Sequence, residues 1–417
     1  MNKRNLWAAI ALTLMATTVG CSSDSESPKP EPVICPVVTP TELELTRAEQ
    51  QMVGSSNDFA LDLFRQVQDE RKSQLVSPIS IVYALGMLNN GATGETQAQI
   101  NRALGFGDAG ADSINLFCLK MLRRANRLDS ETRVMIANNI YVNQDYQLLP
   151  DFVSKARLFY DAEPETRDFA DGKTCDVINR WASDHTEGMI DKVLDDSSFD
   201  PEAVSYLLNA IYFKGTWTHQ FKKELTKRRE FYHVGETEEM TYCDMMSQER
   251  RFNYAETYDV QALQLPYGNG SFVMTVLLPK TVKGQPLNRL PNVPTSYEWQ
   301  LLNKQMSQLE VNVQLPRFET TTDVDLVPVM QKLGVTKAFT DDAEFSNFCY
   351  RPTCISLMKQ AARIKVNEEG TEAAAVTTTG LATTSAPTIF NANHPFLYVI
   401  SEQQTGAILF IGQYTGY

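Results

Sequence analysis

Histidine is scarce in this 417-residue chain, with His185, His219, His233 and His394 the only four. None lies in a GxSxG, HExxH or CxxC setting, and no glycine-rich run has phosphate-loop spacing. The arrangements that nucleophilic, zinc-dependent, redox or nucleotide-dependent catalysis require are therefore missing, and an enzyme is not the reading. His394 precedes Pro395 at a strand entry and reads as structural. Positive charge is also short. There are 38 Lys and Arg against 51 Asp and Glu, a net charge of -13 that disfavours unspecific nucleic-acid binding. Six cysteines beyond Cys21 (Cys35, Cys118, Cys175, Cys243, Cys349, Cys354) are too widely spaced for a compact disulfide framework or a zinc site. No metal and no cofactor is implied. Cys349 and Cys354 (CYRPTC) could close a small loop across Pro352 in an oxidising space, the alternative being two ordinary thiols.

The most informative absence is local. After Glu372 no charged residue occurs until Glu402, and within residues 367–389 (NEEGTEAAAVTTTGLATTSAPTI) the part beyond Glu372 is built from Ala, Thr, Gly and Ser with single Val, Leu, Pro and Ile positions. A solvated linker carries more charge or more Gly and Ser. Alternate side chains of a strand face opposite ways. One face would then hold Thr371, Ala373, Ala375, Thr377 and Thr379, all small, with Glu372 on the other. Such a segment can enter between strands without clash or buried charge. A low-complexity surface loop is the competing reading.

The N-terminus has a basic start (Met1-Asn2-Lys3-Arg4), a short apolar run at 6–17 and Thr18-Val19-Gly20-Cys21. The run is too short to span a bilayer, and the pattern resembles a bacterial lipoprotein signal cleaved before a lipidated Cys21, although Thr18 replaces the usual Leu. Residues 21–49 are polar, acidic and Pro-rich and read as a tether. Acidic residues soon after the cysteine resemble surface-export signals of Bacteroidetes-type lipoproteins, so the expected location is the cell envelope: an outer-membrane lipoprotein, surface-exposed or secreted. The remainder, 50–417, is long enough for one large domain with a substantial core.

Along that domain, 57–67 (NDFALDLFRQV) places Phe59, Leu63 and Val67 on one helical face, with Asn57 or Asp58 as N-cap. Ser77-Pro78-Ile79-Ser80 opens a run to Leu88 that is apolar nearly all round, and hence a buried helix, with Ser77 as N-cap and Pro78 at the first helical position. Lys120, Arg123, Arg124 and Arg127 form a basic stripe at helical spacing, read as a solvated face. Residues 133–142 are a strand candidate, 176–194 a helical segment, and 205–215 (SYLLNAIYFKG) a strand covered on both faces, with Asn209 as the one polar residue in its middle. Strands follow at 272–278, 309–313 and 361–367, and a hairpin closes the chain beyond His394.

These segments carry a resemblance. Residues 77–96 match SPxSIxxALxMLxxGAxGxT, residues 176–194 resemble INxWVxxxTxGxIxxLL, and 315–318 (LPRF) and 333–346 have counterparts too. Glu368-Glu369-Gly370-Thr371-Glu372-Ala373-Ala374-Ala375 resembles the proximal hinge of the serpins, the serine protease inhibitor superfamily. The matches run in order from about 57 to 412.

The resemblance implies an α+β serpin fold: a mixed central sheet with further sheets, about nine helices, and an exposed reactive-centre loop at about 368–389. It implies suicide-substrate inhibition of a serine endopeptidase by covalent trapping and loop insertion. Counting from Gly370 places the scissile bond between Thr384 and Ser385; a slightly short stretch up to Phe390 keeps Leu381, Ala382 and Thr383 as alternatives. These small or apolar residues favour an elastase-like or subtilisin-like target, with a papain-like cysteine protease as the lesser option. Ser77, Ser80 and Asn209 match a polar shutter whose His position is Gln360 here, and Trp217 matches the tryptophan under the point of loop entry. The expected state is a monomer, in contact with the membrane only through its lipid. A non-inhibitory serpin used as a surface binding module is the alternative.

Overall fold

A helix with no polar face has to be enclosed. In the computed structural model all 12 residues of Pro78–Asn89 are buried, and two sheets and further helices close around them. The structure describes residues 43–416 except 108, 126, 196, 198, 235–239, 281–288 and 372–386. Among these lie eight α-helices, two short 3-10 turns, a six-stranded sheet and a nine-stranded sheet, an α+β arrangement.

The six-stranded sheet positions the candidate site. Its order is Phe318–Asp325, Leu357–Val366, Ser205–Thr216, Thr132–Asn143 and Glu165–Arg167, with Gly370–Thr371 paired to the upper end of Ser205–Thr216. Leu357–Val366 and Ser205–Thr216 run parallel, whereas Phe318–Asp325 and Thr132–Asn143 flank them antiparallel. One face packs on Pro78–Asn89 in the main core and the other on helix Thr174–His185 in a second cluster with Ile178, Leu208 and Ala210. Burial from both sides explains the near-continuous apolar run at 205–216. The nine-stranded sheet holds the C-terminal hairpin, Phe396–Glu402 against Ile408–Tyr414. His394 is buried there, its Nε2 2.9 Å from the Pro279 carbonyl.

Several local expectations are corrected. The first helix is Arg47–Val67, ten residues earlier at its start than Asn57, because Thr46 and Glu49 form a reciprocal capping box. Leu43, assigned to the tether by composition, is buried, and its N–H donates to Gln404 Oε1 at 2.8 Å. Ser77 occupies the N-cap position of Pro78–Asn89 without capping it; its hydroxyl donates instead to the Leu409 carbonyl at 2.7 Å. Helix Thr174–His185 stops well before Leu194, as Glu187 (φ 50°) and Gly188 (φ 75°) take left-handed conformations. Of the two readings offered for Cys349 and Cys354, the structure has the ordinary thiols, and Cys118, Cys175 and Cys243 are free as well.

Candidate functional site

Three amides line up across the middle of the six-stranded sheet. Asn209 is in register with Asn138 on one neighbour and with Gln360 on the other. A buried amide must place its donors and acceptor on partners, and each partner here comes from a different element. Asn209 Nδ2 donates to Asn138 Oδ1 (2.6 Å) and to Ser80 Oγ on the buried helix, while its Oδ1 accepts from Gln360 Nε2 (2.6 Å). Gln360 also grips the Ser77 backbone from both sides. Its Oε1 accepts from the Ser77 N–H at 2.8 Å and its Nε2 donates to the Ser77 carbonyl at 3.0 Å. Ser77, Ser80, Asn209 and Gln360 are thus brought together, with Asn138 added. The signal for Asn138 was present: an Asn-Asn pair interrupts an apolar strand much as Asn209 does.

The second cluster lies where Leu357–Val366 ends. Asn367 to Gly370 make a tight turn, with Asn367 N–H on the Gly370 carbonyl at 2.9 Å and Glu369 N–H on Asn367 Oδ1 at 2.9 Å. The chain then reverses, and Gly370 and Thr371 pair antiparallel with Thr216 and Gly215. Gly370 has φ +144°, and a Cβ there would stand 2.2 Å from the Gly215 carbonyl oxygen, so no other residue fits. Thr371 is fully buried, its Oγ1 3.1 Å from the Tyr267 hydroxyl. Trp217 stacks on Tyr267 (4.3 Å, 16°) and donates from Nε1 to the Asn367 carbonyl at 2.9 Å. Trp217 and Phe221 N–H groups hold the Glu369 and Glu368 carbonyls, both at 2.9 Å.

Charge fixes the turn as well. Glu368 is 2% exposed, and both its oxygens accept from Arg317 Nε at 2.8 Å, with Thr226 adding a hydroxyl donor. Burial alone would raise this carboxyl; Arg317 and Thr226 outweigh it and hold it below the usual carboxylate range. Glu369 pairs with Lys223 at 2.6 Å. Arg317 sits in the LPRF element, but its partnership with Glu368, 51 residues on, has no signature in the sequence.

Cys21, Glu372, Ala373, Ala374, Ala375, Leu381, Ala382, Thr383, Thr384 and Ser385 lie outside the described residues. Among the described residues, no group of three or more His, Cys, Asp or Glu side chains converges as a metal site.

Residues 54–416 match the family model described as Serpin (serine protease inhibitor). Human Serpin B4 is 31% identical over 385 residues, covering 87% of this chain and 98% of its own. Leukocyte elastase inhibitor of Sus scrofa is 32% identical over 379 residues, covering 87% and 99%. Among solved structures, the thermophilic serpin tengpin in its native state aligns with a TM-score of 0.80 at 27% identity, covering 90% of this chain and 96% of that one. Human thyroxine-binding globulin complexed with thyroxine aligns at 0.79 and 26%, covering 88% and 98%. Fold, ordered motifs and relatives agree: the chain belongs to the serpin family of serine protease inhibitors and is not an enzyme.

Proposed function

We propose that this serpin acts as a suicide substrate for an elastase-like or subtilisin-like serine endopeptidase. One observation carries the reading. The parallel pairing of Leu357–Val366 with Ser205–Thr216 ends at Arg363 opposite Tyr212, and above it Gly370 and Thr371 already lie antiparallel on Thr216 and Gly215. The loop therefore starts in the lane that a further strand would follow. Residues 373–385 continue it without a charge.

The protease serine attacks the carbonyl of the scissile residue, the peptide C–N bond breaks, and the amine of the next residue leaves with the transferred proton. The ester remains. Insertion replaces one parallel ladder by two antiparallel ones, which are slightly more stable per residue. About 14 residues at about 3.3 Å each carry the attached protease roughly 45 Å, far enough to distort its site before water cleaves the ester. A trypsin-type pocket needs a cation for its buried carboxylate. Thr384, with Leu381, Ala382 and Thr383 as alternatives, offers only small or aliphatic side chains, which suit a shallow apolar pocket. The resemblance to leukocyte elastase inhibitor points the same way. The same reading attaches the inhibitor to the cell envelope through a lipid on Cys21.

Incubation with pancreatic elastase, subtilisin and trypsin, followed by denaturing electrophoresis and mass spectrometry of the released peptide, tests this. Covalent complexes with elastase or subtilisin and a cut within 381–385 are expected. Cleavage without complex would favour a non-inhibitory binding module, a reading kept open by the likeness to thyroxine-binding globulin. Complexes with trypsin alone would overturn the target class.

A further inference from the structure

Of the basic stripe, Arg123, Arg124 and Arg127 are exposed, in keeping with a solvated face. Lys120 turns inward and pairs with Glu49 at 2.7 Å, tying helix Ala111–Ala125 to the first helix. Arg123 and Arg127 instead line a cleft of about 500 Å³, where they meet Arg157 from helix Pro150–Tyr160. Among the described residues none of these three guanidinium groups has an ion pair or side-chain hydrogen bond, and Asp161 is the one carboxylate on the lining. The lining is mixed: His185 adds a further polar group, and apolar side chains make up the rest. Leu119 and Leu122 come from one helix, Leu158 from the other, and Met135 and Ile136 from the strand Thr132–Asn143. Leu158 is 56% exposed.

Three unpaired cations beside a row of apolar side chains, on a chain of net charge -13, are a local reversal of the protein's overall character. The size falls within the roughly 300–1,000 Å³ of small-molecule pockets. Guanidinium groups present a fork that matches a carboxylate, while the leucines and Met135 offer nothing to a polar chain. We propose that this cleft binds a long-chain carboxylate, head on the arginines and tail along Leu119, Leu122, Met135 and Leu158. A sulfated polysaccharide fits less well. It needs cations spread along an open surface, and Lys120 is already committed to Glu49.

The test is calorimetric titration of the full chain with decanoate, dodecanoate and tetradecanoate, each below its micelle concentration. Saturable one-to-one binding is expected, strengthening by up to about fourfold per methylene. The Arg123→Gln/Arg157→Gln variant should bind at least tenfold more weakly with an unchanged circular-dichroism spectrum. Met135→Trp, which narrows the cleft and keeps every charge, should weaken binding too. Should the double variant fail to fold, the chain-length series and Met135→Trp still decide. Equal binding of uncharged tetradecanol, unaltered binding by both variants, or no saturable heat would each overturn the proposal. So would binding of a sulfated oligosaccharide or of anionic phospholipid vesicles at Arg123 and Arg157 that tetradecanoate does not displace.

Discussion

Gln360 lies directly opposite Asn209 in the parallel register of the central sheet, and its Nε2 donates to Asn209 Oδ1 at 2.6 Å while its Oε1 accepts the Ser77 N–H at 2.8 Å. One side chain therefore joins two neighbouring strands to the helix beneath them. An imidazole, the usual family occupant, has two ring nitrogens; the amide makes three such bonds and carries no titration near neutral pH.

Gln360→Leu should expose what that junction contributes. It orphans Asn209 Oδ1 and the Ser77 N–H, both buried, at about 1–3 kcal/mol per unsatisfied group before relaxation, while the Ser77 carbonyl keeps the Ile81 N–H at 3.3 Å. A clear fall in melting temperature is expected, together with faster spontaneous loss of inhibitory activity on storage. A melting temperature within a degree of wild type would show that the cluster does not hold the strands together.

The Glu368–Arg317 clasp predicts an acid dependence. The folded carboxyl sits below its ordinary value, so its contribution is fully present above the unfolded Glu value, roughly 4.3, and is lost as pH falls through the lower folded value. Arg317→Ala should lower stability by about 2 kcal/mol at neutral pH. The gap between variant and wild type should stay constant above about pH 5 and narrow below about pH 4. Parallel denaturation curves across that range would remove the clasp from the account.

Thr371→Arg places a cation at a fully buried position beside Tyr267, at a cost of several kcal/mol if it stays unpaired. Cleavage should then outrun insertion. The variant is expected to be cut as a substrate, while Thr371→Ser, which keeps the hydroxyl facing Tyr267, should still trap protease. Wild-type yields of denaturant-stable complex from Thr371→Arg would contradict entry of the loop at this point.

Nicking the loop should raise the unfolding temperature, since a new strand would pair on both sides within the six-stranded sheet. Scanning calorimetry of intact and nicked protein measures this directly. Equal or lower stability after nicking would point to the binding-module alternative.

Elements whose physics is local could be read from the residues alone. The all-round apolar run behind Ser77-Pro78 read as a buried helix and the near-continuous run at 205–215 as a strand covered on both faces, and both are found. Asn209, the lone polar residue in its run, announced a buried hydrogen-bonded node, and the family resemblance added Ser77, Ser80 and Gln360, without naming all the partners. Tertiary structure alone decided those partners. Ser77 caps nothing because its hydroxyl is drawn to Leu409, 332 residues away. Asn138 joins Asn209 through strand register, and Glu368 finds Arg317 through the turn at Asn367. The basic stripe divides because Glu49 captures Lys120, and the cleft beside it exists only where two helices meet a strand. Periodicity and capping report on a few neighbouring residues; pairing between groups tens or hundreds of residues apart depends on how sheets and helices are brought together.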